Sequence, residues 1–329
     1  MEKKEEQKRL FEALKAKVPG QYRLTDQLEE LFRVDTNAVY RRMRGETELS
    51  FSEVFLLCEK FKLSMDEIFN FESNQGALFS YAPVNFTKPE SYIAYMKRLS
   101  ESLTFHKAVN ENEINITSQD IPFFYFLDYP DLISFKLYAW NDTVTRVTQS
   151  YDEFCNKLEK NKFIPFYKQV SNVWRQIPSR EIWTNQSPDS ILRLLEYYYD
   201  TGAFEKKETV ISLLNQLMEV MSNVNRYAGE GHKGDEGKTP FYLYLCNVDF
   251  ETNIILIKKD GKMSCTIRLF TINCIISEHN ALCSETAKWI EDLISKSTLI
   301  SGASARERLR FFQSTKNKIE SLINKIDKG

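Results

Sequence analysis

Two short amphipathic stretches inside residues 24–69 are separated by only three residues, so a chain that buries both apolar stripes must turn sharply and lay one helix across the other. The first stretch puts Leu24, Leu28, Leu31 and Phe32 at i, i+4, i+7 and i+8, a single helical face. Arg33-Val34-Asp35 breaks the pattern. Asp35 is placed to cap a second helix from Thr36 to Arg44, because its carboxylate accepts orphan backbone N–H groups and suits the positive helix end. Gly45 follows, and a glycine just past the last turn takes the left-handed conformation without a Cβ penalty. Ser50 with Glu53 is a capping box that opens an apolar helix through Val54, Leu57, Cys58 and Phe61, and Ser64 with Glu67 repeats the device. Leu10, Phe11, Leu14 and Val18 form an earlier stripe. Together these signals predict a bundle of five short helices over residues 1–70.

The pattern resembles the Cro/C1-type (XRE) helix-turn-helix of bacterial and phage regulators, over about a fifth of the chain. Leu28, Leu31 and Val34 carry the likeness ahead of the recognition helix, Val39, Arg41, Arg44 and Gly45 within and after it, and Leu57, Phe61, Leu63, Ser64 and Ile68 behind it. The resemblance implies a helix over residues 36–44 that enters the major groove of double-stranded DNA. On that helix Asn37, Tyr40, Arg41 and Arg44 fall at i, i+3, i+4 and i+7, one polar face, while Ala38, Val39 and Met43 supply the packing side. Asparagine pairs with adenine and arginine with guanine or phosphate, so the expected DNA contacts are Thr36, Asn37, Tyr40, Arg41 and Arg44. Glu29 and Arg33 stand where the family usually has alanine and glycine. With Glu46, Glu48 and Glu53 they motivate a competing reading, a protein-interaction scaffold whose helix-turn-helix no longer reads DNA, since acids at the rim of a groove repel phosphate.

A formal net charge of −2 over 329 residues excludes a protein that coats nucleic acid by bulk charge, so DNA binding must come from local clusters such as residues 41–44. Six cysteines include no C-x-x-C pair and mostly sit in apolar patterns, as reduced thiols do in the cytoplasm. No apolar run reaches membrane-spanning length, and no signal-peptide core follows the charged residues 1–9. The expectation is a cytoplasmic protein with no membrane partner.

Length suggests about two domains. Periodicity is lost over residues 71–89, where Ser73, Asn74, Gly76, Pro83 and Pro89 accumulate, and the linker is placed there. Residues 90–228 read as largely helical. Within them, residues 121–140 carry eight aromatics, Phe123, Phe124, Tyr125, Phe126, Tyr129, Phe135, Tyr138 and Trp140. Aromatics at this density read as core, with an aromatic-lined pocket as the alternative. Gly229-Glu230-Gly231-His232-Lys233-Gly234 matches G-x-G-x-x-G but follows a helix and precedes a strand, the reverse of a dinucleotide site, and reads as a loop. Residues 241–276 are β-rich, with Asp260-Gly261 a hairpin turn, and helices return over residues 280–327. The fold expected is mainly α with an α+β C-terminal part: a helix-turn-helix bundle over residues 1–70, then a larger helical domain over residues 90–329 with a small antiparallel sheet.

No motif supports catalysis or a metal. The three histidines, His106, His232 and His279, lie in no ligand spacing, and neither a nucleophile elbow nor a phosphate loop is present. Glu278-His279 near Cys283 is the nearest approach to a nucleophile with its base. The reading is a sequence-specific DNA-binding regulator, not an enzyme and without a cofactor, whose second domain senses a small-molecule or protein effector or holds two copies together; an enzyme tethered to DNA is the weaker alternative. Operator symmetry asks for a homodimer. The last helix offers a stripe for it, Phe312, Ile319 and Ile326 with Thr315 and Leu322 between them, which equally suits docking on its own domain.

Overall fold

A computed structural model describes residues 2–18, 21–63, 65, 68, 76–85, 88–107, 112–158, 160–234 and 238–328. The chain divides into two compact units, Met1–Leu78 and Phe79–Gly329.

The first unit packs α1 (Glu2–Lys17), α2 (Gln21–Phe32), α3 (Thr36–Met43) and α4 (Phe51–Phe61). Its core is Leu10, Phe11 and Leu14 from α1, Leu24 and Leu28 from α2, Val39 from α3 and Leu57 from α4, with Leu63 beyond. Burying each of these side chains contributes roughly 1.5–3 kcal/mol, which is what holds helices too short to persist alone. The described residues make four helices, not the five-helix bundle that the capping signals suggested. The fifth helix expected from Ser64 and Glu67 lies outside the described residues.

In the second unit the order is β1 (Ser80–Tyr81), α5 (Pro89–Lys107), β2 (Asn112–Ser118), a 3-10 turn (Phe123–Phe126), α6 (Pro130–Thr145), α7 (Tyr151–Lys157), α8 (Lys160–Trp174), β3 (Ser179–Thr184), α9 (Asp189–Asp200), α10 (Lys207–Glu230), β4 (His232–Lys233), β5 (Thr239–Cys246), β6 (Ile254–Lys259), β7 (Lys262–Phe270), β8 (Asn273–Ser277), α11 (Asn280–Ser295), β9 (Ser297–Leu299) and α12 (Ala305–Lys328).

The small antiparallel sheet expected over residues 241–276 is instead part of a nine-stranded mixed sheet ordered β1-β8-β7-β6-β2-β3-β5-β4, with β9 on β5. At its centre β2, β3 and β5 are parallel, joined by helical crossovers; the antiparallel β6-β7-β8 meander adds on beside β2. Parallel strands need both faces covered, and both are. Alternate residues face opposite sides: Ile255 and Ile257 of β6 join the large core with α5, α6, α8, α10 and α12, whereas Leu256, with Ile182 and Cys265, packs against Cys283 and Ile290 of α11. Ser80 and Tyr81, inside the stretch read as linker, pair with Ile276 and Ile275 at the sheet edge.

One local expectation needs correction, and one open alternative is decided. The glycine run at residues 229–234 is not a loop: Gly231 (φ 74°) caps α10, and His232 and Lys233 pair with Pro240 and Thr239. The stripe on α12 does not wait for a second chain. Phe312, Thr315, Ile319, Leu322 and Ile326 are all buried within their own unit, against α10. Asp260 (φ 46°) and Gly261 (φ 73°) form the β6-β7 turn, with both central residues left-handed as a two-residue hairpin prefers.

Candidate functional site

The five residues expected to meet DNA lie on or beside α3, and local chemistry fixes how that helix is held. Arg33 ends α2 at φ 54°, the left-handed geometry that glycine would take more cheaply. Asp35 then accepts from the Ala38 N–H at 2.8 Å, capping α3. Val39 is fully buried against the first unit's core. From α1 the Gln7 amide donates to the carbonyls of Arg42 (2.7 Å) and Thr47 (2.8 Å) and accepts from Leu49 N–H (3.0 Å), tying the end of α3 and the following loop to α1.

With Val39 inward, Thr36, Asn37, Arg41 and Arg44 are exposed and Tyr40 is half-buried. The side chains of Asn37 and Arg41 make no hydrogen bond or ion pair with the described residues, so their donors face solvent. Arg44 is different: its guanidinium pairs with Glu46 at 2.8 Å, both side chains exposed. Arg42 turns inward, donating to Glu53 at 2.9 Å and to the Ala38 carbonyl at 3.3 Å and lying over the Phe32 ring. Partial burial of Glu53 opposes ionisation, but the Ser50 N–H and hydroxyl and the Arg42 guanidinium outweigh it and hold the carboxyl below its usual value. Arg42 and Glu53 therefore brace the bundle, and the outward polar edge of α3 comprises Asn37, Tyr40 and Arg41, with Arg44 held beside it by an acid.

The second unit contains a cavity of about 390 Å³ between the sheet and α5. Ile114 and Ile116 of β2 and Ile255 and Ile257 of β6 form its floor, Leu99 and Leu103 its roof, and Phe123, Phe124 and Trp140 of the aromatic run one end. Phe124, Tyr125, Phe126, Phe135, Tyr138 and Trp140 are core, and of the eight aromatics Phe123, Phe124 and Trp140 also line the cavity. At the same end Asp120 accepts from one terminal nitrogen of Arg268 at 3.0 and 2.9 Å, and the Lys136 ammonium lies 3.9 Å from the same carboxylate. Lys136 is only 4% exposed and sits over the rings of Trp140 (5.3 Å) and Phe126 (5.8 Å). Burial and Arg268 both lower its proton affinity, with Asp120 opposing; burial weighs most. Sequence reasoning missed all three charged residues. The one available signal was Lys136 itself, a lone cation inside an otherwise apolar and aromatic stretch.

The Cys283 and His279 pairing is not formed. His279 caps α11, its Nδ1 accepting from Leu282 N–H at 3.4 Å, while the buried Cys283 thiol lies within reach of the Ser277 and Met263 carbonyls and is pushed up to about 11 by burial. Among the described residues no group of His, Cys, Asp and Glu side chains is close enough to hold a metal ion, and no helix is long and apolar enough to cross a membrane. Comparison with known proteins finds no matching family model, no matching characterised relative and no matching solved structure. Geometry and chemistry alone define the class of site: a capped helix with an outward polar face in one unit, and a charged cavity in the other.

Proposed function

We propose that the first unit binds double-stranded DNA in a sequence-dependent way, as a cytoplasmic regulator of the helix-turn-helix kind. One observation carries the reading. Asn37 and Arg41, the side chains best suited to adenine and guanine edges, face solvent without protein partners on a helix whose opposite side is fixed by Val39. A single such helix covers one short half-site, so the reading includes two copies on a two-fold operator, joined through a surface other than the buried stripe of α12. Selection of duplexes from a random library by the intact chain tests it. Enrichment of a two-fold motif supports the reading, and recovery of unrelated sequences overturns it.

A second reading has its own support. Phe51 (85% exposed) and Phe55 (58% exposed) share one face of α4, and the Arg44 charge is answered by Glu46. Exposed aromatics beside a neutralised basic face suit a protein-binding scaffold. Loss of a pulled-down protein partner by Phe51→Ser/Phe55→Ser, with no duplex enrichment by the unaltered chain, would favour the scaffold.

A further inference from the structure

The charged residues lining the second unit's cavity are Arg98, Asp120, Lys136 and Arg268, three cations against one carboxylate. Asp120 is already engaged by Arg268. Lys136 is not comparably satisfied: its side chain is more than nine-tenths buried, and its ammonium donates no hydrogen bond within the described residues and meets Asp120 only at 3.9 Å. A buried ammonium has three donors, and leaving them unmet is costly. The rings of Trp140 and Phe126 hold the ammonium in place but accept only weakly. The space next to it is walled mainly by aliphatic and aromatic side chains, with Thr117, Ser118, Asn253 and Thr266 among them, and packed interiors keep few voids larger than a water molecule. A volume of about 390 Å³ falls in the range of small-molecule sites. Arg98 and Ser102, both exposed, stand at the side of the cavity nearest solvent.

We propose that this cavity binds an amphipathic carboxylate, its apolar body between α5 and strands β2 and β6, its anionic head on Lys136 and Arg268. The head supplies the acceptors that Lys136 lacks and balances the excess positive charge; the body displaces water from apolar walls. A cationic ligand would meet three like charges, and a neutral one would accept from Lys136 more weakly than a carboxylate and leave the excess positive charge unbalanced. The site stands independently of whether the first unit reads DNA, because every residue in it belongs to the second unit.

Isothermal titration calorimetry of the intact chain with decanoate, 1-decanol and decylamine tests the assignment at constant chain length. The expected result is decanoate binding at least tenfold more tightly than 1-decanol, with decylamine weakest. Lys136→Met keeps the volume and removes the charge. With an unchanged circular dichroism spectrum it should lose most of the carboxylate preference while still taking 1-decanol. Arg98→Gln, at the rim, keeps the chain's core intact and should weaken decanoate only a few fold. Decanoate that does not bind, decanoate and 1-decanol binding equally, or an unchanged preference in folded Lys136→Met would each overturn the proposal.

Discussion

Lys233 reaches Glu181 through a single hydroxyl: its ammonium donates to Ser179 Oγ at 2.9 Å, and that hydroxyl donates to Glu181 Oε1 at 3.4 Å. Tyr125 and Trp183 add donors to the carboxylate at 3.0 and 3.1 Å, and the Lys233 ammonium lies 3.7 Å from the Trp174 ring centre. All of these side chains are buried. The network joins β3, β4 and the 3-10 turn, which accounts for polar residues in the centre of the sheet.

Burial lowers the Lys233 ammonium from 10.5 to about 7, with the Glu181 carboxylate pulling it back, and burial also raises Glu181 above 4.5. For Lys233 the unfolded chain keeps its proton up to 10.5 and the folded chain only up to about 7. The unfolded state therefore holds more protons between those values, and stability rises with pH there, by up to about 1.4 kcal/mol per pH unit. The Lys233 contribution is complete above 10.5 and is lost as pH falls through about 7. Glu181 acts oppositely, its contribution present below 4.5 and lost as pH rises through its raised folded value. Urea unfolding at several pH values between 7 and 10 should show the rise in the unaltered chain and a smaller slope in Lys233→Met.

Arg33 occupies a left-handed position in the turn between α2 and α3. Arg33→Gly should remove about 1 kcal/mol of strain, offset in part by the extra freedom of the unfolded glycine. Hydrogen exchange of the α2 and α3 amides should slow by a few fold. Faster exchange would show that the arginine side chain holds the turn.

Ile319 is fully buried on the inward face of α12. Ile319→Ala should cost roughly 2–5 kcal/mol of stability, and sedimentation velocity should show an unchanged oligomeric state. A variant that keeps its stability but changes its assembly would return this stripe to the role of a subunit contact.

The sequence made some features legible and hid others for physical reasons. Caps are written within four residues, so Asp35, the Ser50 and Glu53 box, and Gly45 could be read directly. The inward turn of Arg42 was not legible, because Glu53 lies eleven positions away across a loop. Strand β3 was missed because Arg180 and Glu181 interrupt its apolar pattern; their partners, Glu291 and Lys233, come from distant segments. The parallel centre of the sheet depends on such non-local pairing, which no local window contains. The stripe on α12 was plain, but a stripe says only that something covers it. Lys136 stood out among aromatics, yet Arg268, which completes the charged end of its cavity, lies 132 positions further on.

In the proposed function α3 reads base edges through Asn37 and Arg41. The most direct test of this is fluorescence anisotropy of a selected duplex and a scrambled one, at low and moderate salt, with the unaltered chain, Arg41→Ala and Lys296→Ala. Lys296 belongs to the second unit and serves as a charge-matched control. Arg41→Ala should weaken the selected duplex by about 1–3 kcal/mol, roughly five- to more than a hundredfold, and bring it close to the scrambled one. Lys296→Ala should behave as the unaltered chain does. Equal binding of both duplexes by the unaltered chain, or undiminished discrimination in folded Arg41→Ala, would contradict the account.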